Sequence, residues 1–137
     1  MKPKNVATIE AIYKLIDEVQ SYLEAHYETD NIAACIDRLR YLEGYLATTG
    51  KALADSKYYL RETTEASVML AKAKYAELSP STLNKFIESI CRENAYLVDR
   101  LDRLNSGCTH QLDATRTVIS TLKEELKITN YFQGKGA

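Results

Sequence analysis

The sequence predicts an all-α fold: a long antiparallel, coiled-coil-like helical hairpin with an additional N-terminal helix, together making a helical bundle. Three observations carry that expectation. The 137 residues hold only 5 Gly and 2 Pro, so little interrupts a helix. Apolar side chains recur at spacings of three and four along most of the chain, the period of a helix face and not of a strand. One corner, Ser79-Pro80, divides the longest periodic stretch into two arms.

The elements follow in order. Pro3 suits the first turn of a helix, where its missing N–H is no loss, and Ile9, Ile12, Ile16, Val19, Leu23 and His26 continue the period, predicting helix one over about residues 3–28. Thr29, Asp30 and Asn31 supply a stop and a fresh N-cap. Helix two, over 31–77, carries a seam of Ile32, Cys35, Leu39, Leu42, Leu46, Thr49, Leu53, Ser56, Leu60, Thr63, Ser67 and Leu70 without a slip. Its hydroxyl members bond back to the helix or admit a close neighbour. Helix three, over 80–127, starts at the Ser79 cap and carries Leu83, Ile87, Ile90, Asn94, Leu97, Leu101, Leu104 and Cys108. A four-four step to Leu112 then makes a stutter before Thr115, Ile119, Leu122 and Leu126. Residues 1–130 thus read as one helical domain, and residues 131–137, Gly-rich, read as a flexible C-terminal tail.

Antiparallel pairing about Ser79 sets Gly50, 29 residues before it, level with Gly107, 28 after it. Thr48 and Thr49 on one arm and Asn105, Ser106, Cys108, Thr109 and His110 on the other join them in a mid-hairpin polar level. The arms are expected to run through that level, because the apolar spacing stays in phase across Gly50.

Composition removes several classes of function. The net charge is −1 and evenly spread: residues 1–28 hold three basic and five acidic groups, 29–79 seven of each, and 80–137 eight basic and seven acidic. A general phosphate-binding protein carries a marked surplus of positive charge in some block; here the largest positive excess is one, which leaves room only for a local basic stripe. The N-terminus MKPKNVATIEAIYK lacks the apolar core of a secretory signal, and no run of ~18 apolar residues suggests a membrane span. Three cysteines, Cys35, Cys91 and Cys108, lie in periodic segments, which fits reduced core thiols and a cytoplasmic location.

Chemistry-bearing motifs are sparse. The stretch NSGCTHQL, Asn105 to Leu112, gathers a thiol and an imidazole, yet Cys108 and His110 are two apart and do not face each other on a helix. They read as a core thiol and a surface polar residue, and His26 as a residue of the helix edge. Zinc spacings are missing, and Leu23 and Gly107 stand where a di-iron bundle needs Glu three before each histidine. The glycines form no phosphate loop or dinucleotide fingerprint. No catalytic, cofactor-binding or metal residue is assigned, and no cofactor or enzymatic activity is expected.

The aromatic content is 10 Tyr and 2 Phe with no Trp. Tyr41 and Tyr45 are one turn apart, Tyr58 and Tyr59 sit in SKYYLRE, and Tyr75 and Tyr96 flank the corner. Three readings compete. The tyrosines broaden the stripe buried against helix one, or they form a partner surface, or they act as base-stacking platforms beside Arg38, Arg40, Lys57 and Arg61.

The patterns LADSKYYL and RLN…CTHQLD…ISTLKEE, within the stretch from Leu42 to Glu125, resemble small helical proteins of phage and mobile-element gene clusters. The resemblance implies an accessory protein near replication or recombination machinery, and it carries over no catalytic residue. Taken together, the residues predict a non-enzymatic interaction or assembly module. Its two long helices leave more apolar stripe than one short helix covers, so the expected partner is a second copy, most simply in a homodimer, or another helical protein. The alternative is a nucleic-acid-binding accessory protein using Arg38, Arg40, Tyr41, Tyr45, Lys57, Tyr58, Tyr59 and Arg61.

Overall fold

The structure, a computed structural model, describes residues 3–74 and 77–135. Three helices, α1 (Ile9–Glu24), α2 (Ile32–Lys74) and α3 (Pro80–Lys135), form an all-α bundle, with no strand among the described residues. At 1.5 Å per residue α1 is ~24 Å long, α2 ~65 Å and α3 ~84 Å. The lengths alone set the architecture, since α1 reaches along only part of a hairpin made by α2 and α3.

Helix α1 is shorter at both ends than the 3–28 that periodicity suggests, and tertiary contacts are the reason. Asn5 takes a left-handed backbone (φ 72°), turning the chain before any helix forms. Lys51 Nζ donates to the Asn5 carbonyl at 2.8 Å, the Ala7 N–H donates to Asp55 Oδ2 at 3.0 Å, and Tyr59 donates to the Ala7 carbonyl at 2.7 Å. Residues 5–7 are thereby pinned to α2. Thr8 then caps the helix, its Oγ1 accepting from the Ala11 N–H at 3.1 Å. At the other end Ala25 leaves the helix with extended backbone, its N–H bonded to the Tyr22 carbonyl at 3.2 Å.

Both remaining starts follow their capping residues. Asn31 Oδ1 accepts from the Ala34 N–H at 3.1 Å ahead of α2, and Ser79 Oγ accepts from the Thr82 N–H at 3.3 Å ahead of α3. Neither long helix breaks at Gly50 or Gly107, and no described glycine has a positive φ. Helix α3 passes residue 127 and includes Tyr131–Lys135, where a flexible tail is expected from the glycine content. Leu126, Thr129 and Phe132 prolong the three-residue spacing there, and the isolated Gly134 lowers helix propensity by only ~1 kcal/mol.

The contacts give the register. Helix α1 runs antiparallel to α2: Glu18 meets Tyr45, and Tyr22 meets Arg38 and Tyr41. It runs parallel to α3, with Tyr13 on Glu93, Gln20 on Arg100 and Leu23 on Gln111. Its apolar stripe, Ile12, Ile16 and Val19, enters the groove of the hairpin and packs with Ala52, Leu97, Leu101, Leu104 and Cys108. Seam residues of α2 meet α3, Thr49 accepting from Asn105 and Thr63 from Asn94. A second α2 face, Arg38, Ala52 and Asp55, is buried in addition.

Candidate functional site

The most developed polar centre lies where α1 ends. The last carbonyls of a helix lack intrahelical donors and carry partial negative charge, so they need hydrogen-bond donors and favour a cation. Arg38 meets both needs from the first turns of α2. Its Nη1 donates to the Tyr22 carbonyl at 2.8 Å, and its Nη2 donates to the Leu23 carbonyl at 3.3 Å and to Gln111 Oε1 at 2.5 Å. Gln111 Nε2 in turn donates to the same Leu23 carbonyl at 2.9 Å. The guanidinium lies 4.2 Å from the Tyr22 ring centroid and 4.9 Å from that of Tyr27, within cation–π range of both. The Tyr27 hydroxyl shares a 3.2 Å hydrogen bond with Thr115 Oγ1, and Thr115 donates to the Gln111 carbonyl at 2.7 Å. All three helices therefore converge on one arginine, which is only 4% exposed.

This placement changes the meaning of the arginines and tyrosines singled out by sequence. Arg38 is enclosed, whereas Arg40, two residues on, is exposed and lines a different groove with Tyr41, Tyr45 and Leu15. Tyr41 is 60% exposed and its ring lies 5.5 Å from that of Tyr22. Tyr45 is partly buried, 5.1 Å from the Tyr22 ring, and donates to Glu18 Oε1 at 3.0 Å. Burial, followed by the Glu18 carboxylate, holds the Tyr45 phenol above its ordinary 10.0. Tyr59 spends its hydroxyl on the Ala7 carbonyl while packing edge-on against Tyr58, their centroids 5.8 Å apart. Lys57 and Arg61 are exposed beside them. Tyr13 donates to Glu93 Oε1 at 2.9 Å, and that hydrogen bond is the main cause of its raised pKa. These tyrosines knit α1 and its flanks to the hairpin. Tyr75 lies outside the described residues.

The mid-hairpin level is divided between two neighbours. Asn105 Nδ2 donates to Thr49 Oγ1 and to the Leu46 carbonyl, both at 3.0 Å, and a Cβ built on Gly50 meets the same amide nitrogen at 3.6 Å. Thr49 is fully buried and bonds back to the Tyr45 carbonyl at 2.7 Å. Gly107 instead faces α1, where an added Cβ stands 3.3 Å from Leu23 Cδ1. Cys108 is wholly buried and His110 exposed, so the helix turns them to different sides. Burial pushes the Cys108 thiol up, partly opposed by the Arg38 charge. A thiol held protonated and away from solvent is a poor nucleophile. His26 is exposed at the rim of the Arg38 site.

Sequence reading treats Arg38 as one of several surface cations and leaves Gln111, Tyr22 and Tyr27 unmarked. The available signal is an arginine one position before seam residue Leu39, on the side of α2 that a third helix covers. Among the described residues no three His, Cys, Asp or Glu side chains gather as a metal-binding group, and no helix is long and apolar enough to cross a membrane. No family model, no curated protein and no solved structure matches the chain.

Proposed function

We propose that this chain is a non-enzymatic helical assembly module, an accessory protein of the phage or mobile-element kind that its sequence resembles. Its partner is a second copy of itself, most simply in a homodimer. One observation carries the reading. Contacts of α1 and its flanks span α2 from Arg38 to Tyr59 and α3 from Glu93 to Thr115. The large apolar side chains left in solvent concentrate beyond that span. Met69, Leu70, Leu78 and Ile90 lie toward the corner, and Leu126, Ile128, Tyr131 and Phe132 on the far end of α3. Grouped apolar exposure of this kind marks an interaction surface more than scattered single residues do.

A second copy suits these ends on two grounds. The chain's net charge of −1 sets little repulsion between like molecules. A two-fold axis also makes any self-complementary patch count twice. Phe132 is 67% exposed and Ile128 55%, both toward the C-terminal end of α3. Cys35, Cys91 and Cys108 are free and buried, which suits the reducing cytoplasm in which we place the module.

Light scattering of the full chain across a concentration series tests the reading. The expected mass rises toward twice that of one chain, and the variant Ile128→Glu/Phe132→Glu stays at the mass of one chain while keeping its helical circular dichroism. A wild-type protein that remains monomeric at the highest concentration defeats the proposal. Salt-sensitive retention of single-stranded oligonucleotide by that monomer, dependent on the exposed Arg40, Lys57 and Arg61, moves the assignment to nucleic-acid binding.

A further inference from the structure

The environment of Arg38 is incomplete in one respect. Among the described residues the guanidinium forms no ion pair with a carboxylate. Its Nε has no hydrogen-bond partner although that atom is buried. Asp55, the other buried ionic group, is matched by Lys51 at 2.6 Å and by the Ala7 N–H. Burying a charge costs several kcal/mol, and proteins offset that by pairing it. Two helix carbonyls, the Gln111 amide oxygen and two rings supply only partial negative charge to Arg38.

A cavity of about 300 Å³ adjoins this group, and Arg38 forms part of its wall together with Leu23, Tyr27, Gln111, Ala114 and Thr115. We propose that the cavity binds a small organic monocarboxylate, with Arg38 as its charge partner. The negative group supplies the full charge that the surroundings of Arg38 lack. Leu23, Ala114 and the Tyr27 ring receive the apolar body of the ligand, and the volume lies at the small end of ligand pockets. Glu24 also borders the cavity, and its carboxylate accepts from Gln20 at 2.6 Å. A second negative charge on the ligand faces that like charge, so a monocarboxylate fits better than a dicarboxylate or phosphate. The proposal is independent of the oligomeric state.

The test titrates the isotope-labelled full chain with benzoate, with benzyl alcohol as the neutral counterpart, at constant ionic strength set by chloride. Nuclear magnetic resonance follows the Arg38 Nε–H and the Ala114 amide. Benzoate is expected to shift both saturably, and benzyl alcohol to bind at least about tenfold more weakly. Ala114→Phe, at an exposed helix position on the cavity wall, fills the space without touching the hydrogen bonds of Arg38, and should weaken benzoate by about tenfold or more. Absence of a saturable shift overturns the proposal. So does an equal response to chloride, which means an adventitious ion only, and so does undiminished binding to Ala114→Phe.

Discussion

The middle of the hairpin and its two ends share one apolar seam and differ in a third neighbour. Where α1 lies in the groove, Ile12, Ile16, Val19, Leu97, Leu101 and Cys108 are sealed, and Leu42 nearby is fully buried. Beyond it, Leu70 and Ile90 hold seam positions of the same spacing and are 41% and 39% exposed. Two helices bury one stripe each, and only a third closes the groove between them. The same helical pattern therefore makes a core in one place and an open face in another. The middle holds the buried core, and the ends leave large apolar side chains in solvent.

Substitutions at matched positions sharpen that contrast. The largest expected effect is Arg38→Ala, which removes three charge-assisted hydrogen bonds, to the Tyr22 and Leu23 carbonyls and to Gln111 Oε1, and should lower unfolding free energy by about 4 kcal/mol. Arg40→Ala, two residues along on the exposed side, should change it by less than about 0.5 kcal/mol. Urea unfolding of both variants decides the point, and similar values for the two would dissolve the distinction. Next comes Leu101→Ala in the sealed middle, expected to cost about 3 kcal/mol, against about 0.5 kcal/mol or less for Leu126→Ala at the open end of the monomer. Asn105→Ala removes the paired bonds to Thr49 and Leu46 between the long helices and should cost about 1.5 kcal/mol.

The smallest effect is one of pH. The phenols of Tyr13, Tyr22 and Tyr45 are raised above 10.0 in the folded chain, the first mainly by its bond to Glu93 and the other two mainly by burial. The folded state thus holds these protons more tightly than the unfolded state does. Their contribution is complete below pH 10 and is lost as pH rises through the higher folded values. Thermal melts should show a decline above pH 10 that Tyr45→Phe makes shallower. An identical decline in the variant would place the loss elsewhere.

Much of the architecture is legible along the chain. Asn31 and Ser79 announce their helices through side chains that reach the backbone three residues on, and the three-four spacing marks the seam that the long helices share. The ends of α1 are not legible in this way. Thr8 caps the helix after Asn5 has turned the chain and after Asp55 and Tyr59, some fifty positions away, have pinned Ala7. The candidate site is hidden for a related reason: Arg38 and Arg40 are alike in type and context, and one-dimensional spacing places both off the seam.

Local chemistry is sufficient for the helices, the Ser79-Pro80 corner and the antiparallel seam, because helix periodicity and capping act within a turn or two of each residue. The side of the hairpin that α1 covers, the enclosure of Arg38 and the division between sealed middle and open ends were decided only in the folded molecule. Burial is a property of neighbours, and those neighbours come from parts of the chain that the sequence itself keeps far apart.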